Sequence, residues 1–147
     1  MASRSERLQP VKKVAENREQ NAAKEMGKAR TRMEELEARL SELISFREEY
    51  TRNFLVAGTA GMGVGRMREY QTFITRLDQA ITYQRNVVEQ AKRTYADRQR
   101  VWGHFHGRVL AMDKLATRYR QQERTDADQR EQKETDERAQ RSARIEL

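Results

Sequence analysis

The chain has 147 residues, of which only 36% are apolar and 36% are charged, too polar for an ordinary compact globule but suited to a thin structure that buries a single stripe. No run approaches the ~20 apolar residues of a membrane-spanning helix, no signal-peptide core is visible, and the absence of cysteine removes disulfide and thiol chemistry, which is compatible with the cytosol. A formal charge of +7 favours acidic partners or a solubilising coat.

Two helix starts compete at the N-terminus. Ser3 and Glu6 have capping-box spacing, whereas Pro10, the only proline, suits the first turn of a helix that begins slightly later. From Ala15 onward, Glu19, Ala22, Met26, Ala29, Met33, Leu36, Leu40, Leu43, Arg47, Tyr50 and Phe54 follow a stepping of alternating threes and fours. That rhythm predicts a first helix over about residues 8–56. Next comes Gly58-Thr-Ala-Gly61-Met-Gly63-Val-Gly65, which holds four of the seven glycines. Each glycine costs a helix interior roughly 1 kcal/mol against alanine, so the cluster predicts a tip loop over about residues 57–65. The stepping resumes through Met67, Tyr70, Ile74, Leu77, Ile81, Gln84, Val88, Ala91, Tyr95, Arg98, Trp102, Phe105, Val109, Met112, Ala116 and Tyr119. It predicts a second helix over about residues 66–120. Beyond it the sequence is almost free of apolar residues, and either extends as a solvated helix or frays to about residue 140.

A 3.5-residue repeat sustained over several heptads is the mark of a coiled coil. The expected fold is all-α, one domain over residues 1–147: an antiparallel two-helix coiled-coil hairpin with a glycine-rich tip and a polar C-terminal extension. With the fold-back at residue 60, facing positions sum to about 120, which sets Tyr50 against Tyr70, Leu43 against Leu77, Leu40 against Ile81, Ala15 against Phe105 and Val11 against Val109. At ~1.5 Å per residue the paired section is on the order of 65 to 75 Å long.

Enzymatic motifs fail on context. Gly61-Met-Gly63-Val-Gly65 follows a helix rather than a strand and lacks the Gly-Lys-Ser/Thr ending of a nucleotide loop. His104 and His106 are two residues apart, which puts them on nearly opposite sides of a helix and makes them ordinary surface histidines. No catalytic residue, metal, cofactor or small-molecule substrate is expected. Charge placement is more informative. Residues 29–90 carry nine basic and nine acidic side chains, whereas residues 91–120 carry eight basic side chains against only Asp97 and Asp113. The excess lies at the open end of the expected hairpin, with Lys12, Lys13, Arg18, Arg93, Arg98, Arg100 and Arg108 as candidate contacts. It suits an acidic groove or pore in a partner, or simply coats the surface. Nucleic acid fits less well, because Trp102 and most other rings belong to the seam and leave few to stack on bases. Phe46, Phe73 and Tyr83 lie outside the seam. Phe46 and Phe73 fall opposite each other, forming a docking surface or widening the seam.

Leu43-Ile-Ser-Phe-Arg-Glu-Glu-Tyr50, the glycine-bearing tip and Tyr70-Gln-Thr-Phe73-Ile-Thr-Arg-Leu77-Asp-Gln-Ala80-Ile81 resemble the FliJ family of flagellar type III export stalk proteins. The resemblance extends over most of the chain in length, tip position and basic balance. It implies a non-catalytic cytoplasmic coiled coil, similar to the rotor shaft of rotary ATPases and peripheral to the inner membrane at the flagellar base. Implied partners are a hexameric export ATPase, whose assembly such proteins promote, a membrane export gate protein and emptied export chaperones. The gate-contacting patch of the family maps to Leu43, Phe46, Tyr50, Phe73, Leu77 and Ala80. Arg39 and Gln84 stand at its margins, where the family usually has glutamine and histidine, and Phe46 stands in place of a more typical tyrosine. By the shaft analogy, the basic end sits in the ATPase ring. Alternatives are the equivalent stalk of a virulence-type secretion system, a general coiled-coil scaffold or basic nucleic-acid binder, and a dimer with swapped arms.

Overall fold

The computed structural model describes residues 2–146 and holds two α-helices packed against each other, α1 over Arg4–Thr59 and α2 over Val64–Glu146, with no strand among the described residues. The start of α1 is the capping box. The Glu6 amide donates to Ser3 Oγ at 3.3 Å and the Ser3 amide donates to Glu6 Oε2 at 3.2 Å, satisfying two of the amides that a helix start leaves open. Pro10 therefore lies inside α1 rather than at its first position.

The break between the helices is shorter than the glycine cluster suggests. α1 continues through Gly58 to Thr59, whose hydroxyl donates to the Val56 carbonyl at 2.7 Å. Gly61 then adopts φ +91°, the left-handed conformation that ends helices and strains any residue with a Cβ. Gly65 already belongs to the first turn of α2. Residues 60–63 alone separate the helices.

At the other end, α2 does not fray near residue 120 but runs to Glu146. Nothing apolar holds this stretch, yet its charges fall at i,i+4 spacing (Arg124 and Asp128, Glu134 and Arg138, Glu137 and Arg141), and neither glycine nor proline follows Gly107. Each such pair supports a helix by roughly 0.2–0.5 kcal/mol.

Contacts divide the chain into two units, one of Ala22–Trp102 and one of Met1–Asn21 with Gly103–Leu147. In the first, Ala22, Leu36, Leu77, Ile81 and Val88 are buried, all at heptad positions, together with Gln84. The Gln84 amide nitrogen donates to the Leu36 carbonyl at 3.1 Å, so the one polar residue of this seam is satisfied by the opposite helix. In the second, Ala15, Val109 and Ala116 are buried with Ser5. Lys12 meets Asp113 at 2.8 Å, and His106 Nδ1 lies 3.1 Å from Glu19.

Some contacts keep the expected pairing, as Tyr50 with Tyr70 and Gln84 with Leu36 do, and others lie a few residues further along α2. Tyr50 and Tyr70 are 5.6 Å apart between ring centroids, but Tyr50 lies closer to Phe73, at 4.5 Å, and Tyr70 stacks on Phe54 at 3.5 Å. Lys12, expected beside Arg108, reaches Asp113 instead. Val11, expected against Val109, is 51% exposed, and Ala15 is the buried residue of that turn. α1 extends past Gly58 and residues 60–63 separate the helices, and several cross-helix partners, Arg47 with Asp78 and Lys12 with Asp113 among them, lie further along α2 than expected.

Candidate functional site

Phe46, Tyr50 and Phe54 recur at i,i+4 on α1 and so stand one above another on a single face. Tyr70 and Phe73 of α2 close on that face and build a ladder of five rings. Phe46 lies 6.2 Å from Tyr50 and 6.1 Å from Phe73, the latter edge to face, in the range where aromatic pairs attract beyond their buried area. The Tyr70 hydroxyl donates to Thr51 Oγ1 at 3.2 Å, fixing the ring nearest the break. Phe46 and Phe73, at 48% and 37% exposed, put much of their surface in solvent. Beside them Arg47 donates to both carboxylate oxygens of Asp78, a cross-helix fork. The hydrogen bond to Asp78 raises the Arg47 pKa, and the reciprocal bond lowers that of Asp78, so both stay charged beside the rings.

The expected patch divides by burial. Phe46, Phe73, Ala80 and Arg39 are exposed, while Leu43 and Tyr50 are half-buried. Leu77, at 6% exposed, and Gln84, at 7%, are seam residues that no partner reaches while the helices stay paired. Tyr83 is 70% exposed but makes no ring contact with the ladder among the described residues.

The seven expected basic contacts do not fall in one unit. Lys12, Lys13, Arg18 and Arg108 belong to the unit built from the chain ends; Arg93, Arg98 and Arg100 belong to Ala22–Trp102. Lys12 is committed to Asp113 and Arg100 to Asp97, whereas Arg98 shares an open groove with Lys28, Arg32 and Ala91. No group of three or more metal-ligating side chains occurs among the described residues. His106 is not a plain surface histidine, since it faces Glu19 across the helices.

Two features escape sequence reasoning. One is a clamp at the start of α1, where the Ser5 amide and hydroxyl donate to Glu123 at 3.1 and 2.8 Å. These bonds, the amide's foremost, lower the Glu123 pKa below the usual carboxylate range. A depressed carboxylate stabilises the folded state above its unfolded pKa and loses that contribution as pH falls through its folded value. Acidification should therefore free the first turn of α1 before the seam opens. Amide exchange over residues 4–8, corrected for its intrinsic pH dependence, checks this; Glu123→Gln should produce the same fraying at neutral pH. The other feature is a set of exposed apolar side chains around the break. Leu55, Val56 and Val64 flank the glycines at positions the heptad does not need, and Met67, a heptad position, is exposed beside them.

Comparison with known families matches residues 4–146 to the family described as Flagellar FliJ protein. The chain belongs to the FliJ family. The Flagellar FliJ protein of Escherichia coli (strain K12) is 30% identical over 136 residues, which span 92% of each chain. That of Salmonella typhi is 29% identical over 136 residues, with the same 92% coverage of both. No solved structure matches. The family assignment covers the ring ladder, the glycine break and α2 as far as Glu146, so it applies to both units of this FliJ-family chain.

Proposed function

We propose that the chain is a non-catalytic stalk and adaptor of the flagellar type III export apparatus, working in the cytoplasm at the inner membrane. In this reading its helices form an antiparallel coiled-coil hairpin with a glycine-bearing tip. It couples a hexameric export ATPase to the membrane export gate, promotes assembly of that ATPase and receives emptied export chaperones. The observation that carries the reading is the exposed edge of the ring ladder in a FliJ-family chain. Phe46 and Phe73 offer a hydrophobic contact that the seam beneath holds rigid, and Arg39 and Ala80 extend it. Leu77 and Gln84 support that surface from below, and the Arg47–Asp78 fork fastens its two helices together. Rigid aromatic anchors of this kind dominate the energetics of protein interfaces.

The basic residues serve the ATPase. An acidic pore attracts them at long range and the attraction weakens with salt. Two charge-reversal sets test this, one for each unit: Lys13→Glu with Arg18→Glu and Arg108→Glu, and Arg93→Glu with Arg98→Glu. Lys12 is left intact because of its bond to Asp113. Stimulation of the cognate export ATPase should fall by about tenfold or more in at least one set, as expected when like charges replace complementary ones at an interface. Undiminished stimulation in both sets removes the basic residues from the ATPase contact. Salt-dependent DNA binding with no effect on the ATPase points instead to a nucleic-acid role.

A further inference from the structure

The break between the helices exposes apolar surface that neither helix pairing nor the ring ladder uses. Leu55 is 62% exposed, Val56 71%, Val64 70% and Met67 47%. A Cβ built on Gly58, Gly63 or Gly65 would meet nothing within 4 Å, so these faces of the turn are open. Charge sets the same stretch apart. Between Glu49 and Glu69 there is no carboxylate, but there are three arginines, Arg52, Arg66 and Arg68. All three are exposed, and none makes an ion pair among the described residues.

We propose that this turn inserts shallowly into an anionic lipid bilayer, with Leu55, Val56, Val64 and Met67 entering the boundary between headgroups and acyl chains and the three arginines binding lipid phosphates. Charge complementarity selects this occupant. Unpaired guanidinium groups surrounding an apolar, carboxylate-free turn match a surface that is negative outside and hydrocarbon beneath. Arginine reaches back along its stem to the phosphates while the turn sits deeper. The depth is limited, because the amides and carbonyls that the break leaves open must stay near water. Helical rise places Arg68 about 8 Å and Arg52 about 12 Å from the turn, close to the depth range of interfacial segments. No helix here is long and apolar enough to cross a membrane, so the contact is an anchor and not a span. The inference rests on the turn alone and stands apart from the gate and ATPase assignments.

The chain has no cysteine, so Val64→Cys can carry a single environment-sensitive fluorophore on the full-length protein, with Ala143→Cys on the last turns of α2 as the comparison. The probes are phosphatidylcholine vesicles with and without about 25% phosphatidylglycerol, enough to give a negative surface potential. The label at position 64 should shift to the blue and be quenched by spin-labelled acyl chains, only with the anionic vesicles; the label at 143 should stay in water. Replacing Leu55, Val56 and Met67 together by serine should weaken binding about tenfold with helical circular dichroism unchanged, since that removes most of the inserting area. Replacing Arg52, Arg66 and Arg68 by glutamine should weaken it comparably and flatten its salt dependence. Three results overturn the proposal: no binding to anionic vesicles, adsorption with the label at 64 still in water, or a label sequestered by an added protein partner and not by lipid.

Discussion

Ile81→Asp should abolish the pairing of the two helices within Ala22–Trp102. Ile81 is 5% exposed, and the neighbouring seam positions Leu77, Gln84 and Val88 are buried as well. The substitution removes about 2–3 kcal/mol of apolar burial. It also places a carboxylate in the buried seam, where Arg47 of the adjoining pocket is already held by Asp78 and Arg85 is exposed, and this costs several kcal/mol more unless the seam opens to water. Against a total stability of about 5–15 kcal/mol for a whole domain, and a thin two-helix unit lies low in that range, the change exceeds what the seam can absorb. Thermal denaturation followed by circular dichroism should lose its cooperative transition for this unit. Ile81→Val, which costs about 0.5–1.5 kcal/mol, should only lower the midpoint. Val101→Asp, at a site 43% exposed, should leave the melt almost unchanged. An unchanged melt for Ile81→Asp contradicts the buried seam.

The second large effect concerns binding. On the proposed gate contact, Phe46→Ala combined with Phe73→Ala should reduce affinity for an export gate protein by about thirtyfold or more, since aromatic anchors commonly contribute about 2 kcal/mol or more to an interface. The effect on folding should be smaller. The edge-to-face contact of the two rings, 6.1 Å apart, is worth about 0.5–1.5 kcal/mol, and both rings are already partly in water. The decisive comparison is titration of the gate domain beside a thermal melt of the same double variant. Tyr83→Ala, which removes an exposed ring away from the ladder, should alter neither. If binding and helicity fall together, the rings belong to the seam and the gate surface lies elsewhere.

Heptad stepping made the seam legible, because only a 3.5-residue rhythm keeps one stripe facing a partner, and Ala22, Leu36, Leu77, Ile81, Val88, Val109 and Ala116 are buried where it places them. The register was less legible. A single glycine costs a helix only about 1 kcal/mol, so α1 carries Gly58 and stops only where Gly61 takes a positive φ. Spacing alone does not show which glycine in a cluster needs that conformation. Gln84 illustrates a different limit: its amide looks like a surface group until the opposite carbonyl that receives it is known. The same applies to His106 and Glu19, whose side chains meet across the helices. In the tail, apolar content says little, and local charge spacing decides for helix. The candidate patch was legible as residue types, since Phe46 and Phe73 break the heptad, but not as a surface, since Leu77 lies beneath it.

The short break has a consequence for the order of assembly. Tyr70 and Thr51, bonded beside it, are 19 residues apart in sequence, whereas Ser5 and Glu123 are 118 apart. Loop-closure entropy makes the second contact about 1.6 kcal/mol costlier to form from an open chain. The rings beside residues 60–63 are therefore the natural nucleus, and the helices zip away from it with each new contact closing only a few further residues. The unit made from both chain ends inherits its proximity from that zipper. A lesion in the ring ladder accordingly delays the meeting of Ser5 with Glu123, whereas the loss of either of these leaves the folding rate of the ladder untouched and acts only on how firmly the start of α1 stays held.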